Sequence, residues 1–160
     1  MLTPPLLQAG VERLVRTMAT EEVAVPEVTT DDIHTVDDPT FDPSNCCIVT
    51  GAGSGIGRAV ALAAAGNGLT VLATDVDEDG LADTVARAEE LALDGAVETC
   101  VADLTVDADI ERIVERAADC GQVTYLANVA GLQHIDAVEE FPMGQYDMMH
   151  DVMVRAPLYL

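Results

Sequence analysis

The sequence predicts an α/β chain: a partial, doubly wound parallel sheet with strands in the order 3-2-1-4, carried behind an acidic N-terminal extension. Three observations predict it. Short apolar runs of strand length alternate with segments whose apolar residues recur at helical spacing, which implies right-handed βαβ crossovers and a sheet covered on both faces. The first run, Cys46-Cys47-Ile48-Val49-Thr50, leads straight into the glycine-rich turn Gly51-Ala52-Gly53-Ser54-Gly55-Ile56-Gly57 and an alanine-rich helical stretch. Aspartates, Asp75 and Asp103, close the second and third strands.

Composition sets the bounds. The chain has 160 residues, room for one domain of ordinary size and a tail. Hydrophobic residues make up 49% and aromatic residues only 3%, so the core must be aliphatic. The net charge is −22; all basic residues are arginine and lysine is absent. Such a chain repels nucleic acid and anionic lipid, which excludes both as partners. A carboxylate-rich, lysine-free surface is of the kind halophiles use, where salt screens the self-repulsion. No apolar run approaches the roughly 18 to 20 residues that span a bilayer, and no basic, apolar leader opens the chain. Cys46, Cys47, Cys100 and Cys120 have no metal-type spacing and read as small buried hydrophobes in a reducing cytosol, so a cytoplasmic location is expected.

Taken in order, residues 1–18 form an amphipathic helix, with Thr3 as cap, Pro4 in the first turn and Leu7, Val11, Leu14, Val15 and Met18 on one face. It packs on this domain or frays in solution, or, on the sharper reading, docks on another subunit. Residues 19–45 gather acidic residues with Pro26, Pro39 and Pro43, and read as a solvated, extended linker. A metal held by the paired aspartates is the sharper alternative. The domain proper is residues 46–160. After the first strand the pattern predicts helix over 58–66, strand over 70–74, helix over 77–93, strand over 96–102, helix over 105–120, strand over 123–129 and a final helix from Met143 onward.

The glycine turn is the first chemical signal. Glycines let backbone approach a pyrophosphate, and the following helix N-terminus offers unpaired N–H donors and a positive dipole end. Asp75 stands where a carboxylate accepts hydrogen bonds from an adenosine ribose; its bland alternative is a cap for the next helix. That carboxylate repels a 2′-phosphate and no arginine stands beside it, so NAD is favoured over NADP. His34, His134 and His150 form no metal constellation.

The spacing Thr50-Gly-Ala-Gly-Ser-Gly-Ile-Gly57 resembles the cofactor signature of the short-chain dehydrogenase/reductase family. Asp75, then Asp103-Leu104, then Asn128-Val129-Ala130-Gly131 follow in that family's order, so the resemblance spans about residues 45–160. It implies a Rossmann-type fold and a cofactor site drawn from Gly51, Ser54, Gly55, Ile56, Asp75, Asp103, Leu104, Asn128, Ala130 and Gly131. The first aspartate would hold the ribose, the second the adenine edge, and the Asn-Ala-Gly turn the nicotinamide side. The run Ala130 to Pro142 looks most like 3-hydroxybutyrate dehydrogenases, in which a glutamine after that turn contacts the substrate carboxylate; it maps onto Gln133, whose other reading is a polar loop residue.

Departures from the family pattern set the expected limits. Val129 stands where a second asparagine would be, and Met153 where the family's proton relay has an asparagine. The family's catalytic Ser and Tyr-x-x-x-Lys pair should lie beyond residue 160, and a chain without lysine cannot contain that pair. Tyr125, Tyr146 and Tyr159 therefore lack the partner that makes tyrosine a base near neutral pH. The expectation is an NAD-dependent oxidoreductase of the short-chain type, truncated before its catalytic residues, with no catalytic or metal-binding residue in this chain. Its substrate, if completed, would be a small hydroxy acid. A second copy of the chain or a C-terminal piece would be needed to cover the open flank of the fourth strand. The alternatives are a non-catalytic dinucleotide-binding or interaction module, docked through the N-terminal helix, or a gene remnant.

Overall fold

The computed structural model describes residues 28–160. The predicted N-terminal helix and the first part of the predicted linker lie outside them.

Four parallel strands form the sheet: β1 (Asn45–Thr50), β2 (Thr70–Asp75), β3 (Ala96–Val101) and β4 (Gln122–Asn128), in the order β3-β2-β1-β4. The crossovers are α1 (Gly55–Gly66), α2 (Glu78–Glu90) and α3 (Asp107–Asp119). The first helix starts at Gly55 rather than Arg58, because the turn glycines themselves take up its first turn. Register is close: Val49 lies opposite Ala73 on β2 and Ala127 on β4. One irregularity falls between Cys46 and Cys47, where β4 steps from Val123 to Tyr125.

β1 is buried through Cys46–Thr50, since both of its faces and both of its edges are covered. Alternation sorts its side chains. Cys46 and Ile48 join Leu72, Cys100, Ile110, Ile113 and Ala117 on the α3 face, whereas Cys47 and Val49 join Ala61, Ala65, Val71, Ala73 and Leu81 on the face of α1 and α2. β4 is mostly exposed, because only β1 pairs with it.

Residues 28–45 are largely exposed but fastened at several points. The Thr30–Asp32 turn is closed by a capping box from Thr29. Ile33 lies against Gly66, the Val36 N–H donates to Asn67 Oδ1 at 2.6 Å, and Phe41 packs 5.4 Å from the Tyr125 ring. These contacts hold the approach to β1 across the C-terminal end of α1.

The final helical stretch is not one regular helix. α4 (Met143–His150) passes into a π-helical turn at Asp151–Arg155 and then α5 (Ala156–Tyr159). Pro157 has no N–H to donate and its ring crowds the carbonyl four residues earlier, so a widened turn before it is the expected response. Ala156 anchors the stretch in the α3-side core, and Arg155 pairs with Asp107.

All four cysteines are free thiols. Burial pushes the Cys46 thiol up to about 12, with a lesser contribution from Cys120, and pushes Cys47 up to about 11. The unfolded chain ionises these thiols above about pH 9 while the folded chain keeps them protonated, so the folded state binds more protons there. Stability should fall as pH rises from about 9 toward 11, by up to about 1.4 kcal/mol per pH unit for each thiol. Urea midpoints measured across that window check this, and Cys47→Ala should flatten the slope.

Candidate functional site

A cleft of about 490 Å³ opens at the C-terminal ends of the strands, where the glycine turn, the ends of β2 and β3 and the loop after β4 converge. It lies at the point where strand order reverses between β1 and β4, the usual ligand position in open α/β sheets.

The turn is built by close approach. A Cβ on Gly57 would lie 1.9 Å from the Gly51 carbonyl oxygen, so only glycine lets the helix sit down on the strand end. Gly51 has φ +70, and a Cβ there would lie 2.8 Å from the Ala130 backbone. Gly55 differs: with φ +51 it faces open space, with no heavy atom within 4 Å of where a Cβ would be. The helical ladder begins with Arg58 N–H donating to the Ser54 carbonyl at 3.1 Å, and the Ser54 side chain makes no cap hydrogen bond. The N–H groups of Gly55, Ile56 and Gly57 thus precede the ladder at the mouth of the cleft.

The remaining walls are ordered by side-chain bonds to backbone. Thr50 Oγ1 accepts from Val129 N and Ala130 N, each at 3.1 Å, and so ties the loop after β4 to the end of β1. Asp75 Oδ2 accepts from Gly53 N at 2.9 Å and Oδ1 from Asp77 N at 3.1 Å. Each oxygen keeps a lone pair for a hydroxyl ligand. Asp103 Oδ1 receives both the N–H and the hydroxyl of Thr105, at 2.8 and 2.7 Å. Asp109 receives the Asp103 N–H at 2.8 Å and is held below the usual carboxylate range, chiefly by its bond to Arg112.

Of the residues singled out from sequence, Gly51, Ser54, Gly55, Ile56, Asp75, Asp103, Leu104, Ala130 and Gly131 line this cleft. Asn128 and Gln133 do not; both side chains are exposed, Asn128 on the outer strand and Gln133 on the following loop. Val129 lines it, and Met153 Sδ lies 3.7 Å from where a Cβ of Gly131 would be.

Sequence reading missed two residues behind the turn. Arg58 Nε donates to Thr84 Oγ1 at 2.9 Å, and its Nη2 reaches the carbonyls of Gly53 and, at 3.0 Å, Gly80. The fully buried Thr84 hydroxyl also lies 2.8 Å from the Ala52 carbonyl oxygen. An arginine therefore does stand near Asp75, through Gly53. Nothing in linear spacing marks it, because Arg58 and Thr84 belong to different helices.

A glycine-turned cleft at the switch point of a parallel sheet, with a carboxylate at the end of β2, defines a dinucleotide-binding α/β protein. The profile of the short chain dehydrogenase family matches residues 45–160. The chain belongs to this family of oxidoreductases, whose members bind a nicotinamide dinucleotide. It is 34% identical over 113 residues to an uncharacterised oxidoreductase of Staphylococcus saprophyticus, covering 70% of this chain and 48% of that protein. It is 32% identical over 110 residues to levodione reductase of Leifsonia aquatica, covering 68% and 41%. To the D-beta-hydroxybutyrate dehydrogenase of Cupriavidus necator it is 36% identical over 104 residues, covering 62% and 38%. The chain thus spans about half or less of the length of these relatives. Among solved structures, a short chain dehydrogenase/reductase from Burkholderia phymatum in complex with NAD superposes with a TM-score of 0.68 at 29% identity, covering 74% of this chain and 42% of that one. A metagenomic short-chain oxidoreductase in complex with NADP shares the fold, with a TM-score of 0.69 at 24% identity, covering 75% and 54%.

Thr50→Val keeps the side-chain shape but removes the acceptor for Val129 N and Ala130 N. Folding stability should fall by about 1–3 kcal/mol, the usual penalty of leaving such donors unmet, whereas Thr50→Ser should keep most of it. Chemical denaturation of the three proteins measures the difference.

Proposed function

We propose that the cleft holds NAD, and that the chain is the cofactor half of an NAD-dependent short-chain oxidoreductase. The observation that carries this is the open space before Gly55 beside unladdered helix N–H groups, with Asp75 across from it. Residues and ligand fit: Gly51, Ser54, Gly55 and Ile56 would take the pyrophosphate, Asp75 the adenosine ribose, Asp103 and Leu104 the adenine, and Ala130 and Gly131 the nicotinamide side. When bound, the nicotinamide ring supplies a hydride acceptor. The chain's own part is to bind and orient it.

The choice of NAD rests on charge. Two carboxylates, Asp75 and Asp103, line the cleft and no basic side chain does, so a 2′-phosphate would meet repulsion with nothing to offset it. Arg58 does not change this, because it does not line the cleft and its Nε and Nη2 are turned to Thr84, Gly53 and Gly80 behind the turn. The substrate class we propose is a small hydroxy acid such as 3-hydroxybutyrate, in line with the resemblance around Ala130 to Pro142 and with one relative being a D-beta-hydroxybutyrate dehydrogenase. Gln133 would meet its carboxylate in a completed site.

Turnover by this chain is not expected, since it has no lysine to assist a tyrosine. Val129 and Met153 favour a second reading, a binding module without catalysis: both put apolar groups beside the nicotinamide side, where the family has asparagines.

Calorimetry in molar KCl, the salt that its acidic composition calls for, tests the cofactor. NAD should bind more tightly than NADP by roughly tenfold or more, and Asp75→Asn should narrow that ratio by removing the repulsive charge. Equal affinities in the parent chain would overturn the assignment. Purified chain given NAD and 3-hydroxybutyrate should produce no NADH above the no-protein rate; substrate-dependent NADH would show a catalytic base other than the Tyr-x-x-x-Lys pair.

A further inference from the structure

The cleft presents an electrostatic problem. Its lining includes Asp75 and Asp103 but no arginine, lysine or histidine, and the whole chain carries −22, yet a dinucleotide brings a diphosphate. Helix N–H groups supply part of the attraction. They do so within reach of two carboxylates.

Arg58 sits directly behind the turn. Its side chain is 30% exposed, and its guanidinium contacts three groups on two segments: Gly53 O, Gly80 O and Thr84 Oγ1. Its ion-pair partner among the described residues is Asp83, at 3.9 Å and largely exposed, so the cation is only weakly neutralised. Gly80 leaves room for this: a Cβ there would lie 2.7 Å from the Gly53 carbonyl oxygen.

Gly53 is therefore held from both sides. Its carbonyl accepts from the guanidinium, and its N–H donates to Asp75 at 2.9 Å. The Gly53 carbonyl belongs to the same peptide as the Ser54 N–H, and Ser54 lines the cleft. A cationic donor on a peptide carbonyl polarises that peptide and strengthens its N–H as a donor. Asp75 keeps a bond of its own from the Asp77 N–H at 3.1 Å, so the ribose end is held without Arg58 and the arginine bears on the diphosphate end.

Resting on the reading that the cleft takes a dinucleotide, we propose that Arg58 is a positioning residue for the diphosphate: it acts through the Gly53–Ser54 peptide and supplies the positive charge that the cleft's own lining lacks. It touches neither ligand nor reacting atoms. Its effect falls on ligands that carry the diphosphate and spares those that do not.

ADP and adenosine separate this role from simple scaffolding. In Arg58→Gln, ADP affinity measured by calorimetry should fall roughly tenfold or more, while adenosine affinity measured by ligand-observed NMR stays within about twofold. Arg58→Lys, which keeps the charge but not the three-way fork, should lie between. Unchanged ADP affinity in both variants would overturn the proposal, as would ADP and adenosine falling together, which marks a collapsed site. If Arg58→Gln does not fold, the same ADP-to-adenosine split in Arg58→Lys decides. A parent chain that binds no ADP overturns the dinucleotide reading itself, before either variant is compared.

Discussion

The contact between Gly57 and the Gly51 carbonyl is the constraint on which the site depends. No side chain fits there, so α1 begins directly on the end of β1 and its first N–H groups stand at the mouth of the cleft. Thr50, one residue before the turn, uses the same strand end to hold the loop after β4. Two distant segments are thereby referred to one fixed point. The burial of β1 on both faces makes that point stiff: a strand with apolar neighbours above, below and on each side has no room to shift.

A second layer of order comes from behind. Asp75, Arg58 and Thr84 each bond to backbone of the turn, at Gly53 or Ala52. These bonds reach α1, the end of β2 and α2, so the turn is held by everything that packs on that face of the sheet. The arrangement separates functions. Groups lining the cleft are glycines, the hydroxyl residues Ser54 and Thr74, carboxylates and apolar residues, and the basic group stays on the far side of the backbone. A diphosphate in a site built this way would meet peptide dipoles rather than a side-chain cation.

Much of this was legible in the sequence because it is local. Cys46 to Thr50 has strand composition, the glycine spacing marks a turn that only glycine tolerates, and Asp75 follows a short apolar run. The parallel sheet followed from the alternation of strands and helices, whereas the order β3-β2-β1-β4 came with the doubly wound fold that the family resemblance implies, since handedness alone allows other orders. Helix limits were less legible: α1 starts at Gly55, a residue of poor helix propensity, because closing the turn overrides that preference. The π-helical turn before Pro157 was also missed, since a run of ordinary helix formers does not reveal how a proline's lost donor will be absorbed.

The sequence by itself determined which residues can make strands, where a phosphate-sized turn must fall and that no lysine assists a tyrosine. Periodicity, glycine spacing and composition are properties of neighbours along the chain. Only the tertiary structure decided that Arg58 stands behind Gly53, that Thr50 holds Ala130, and that Asn128 and Gln133 are not among the residues lining the cleft. Those facts depend on how α1, α2 and β4 pack around β1. Packing is set by the shape of the whole core, which no local pattern encodes.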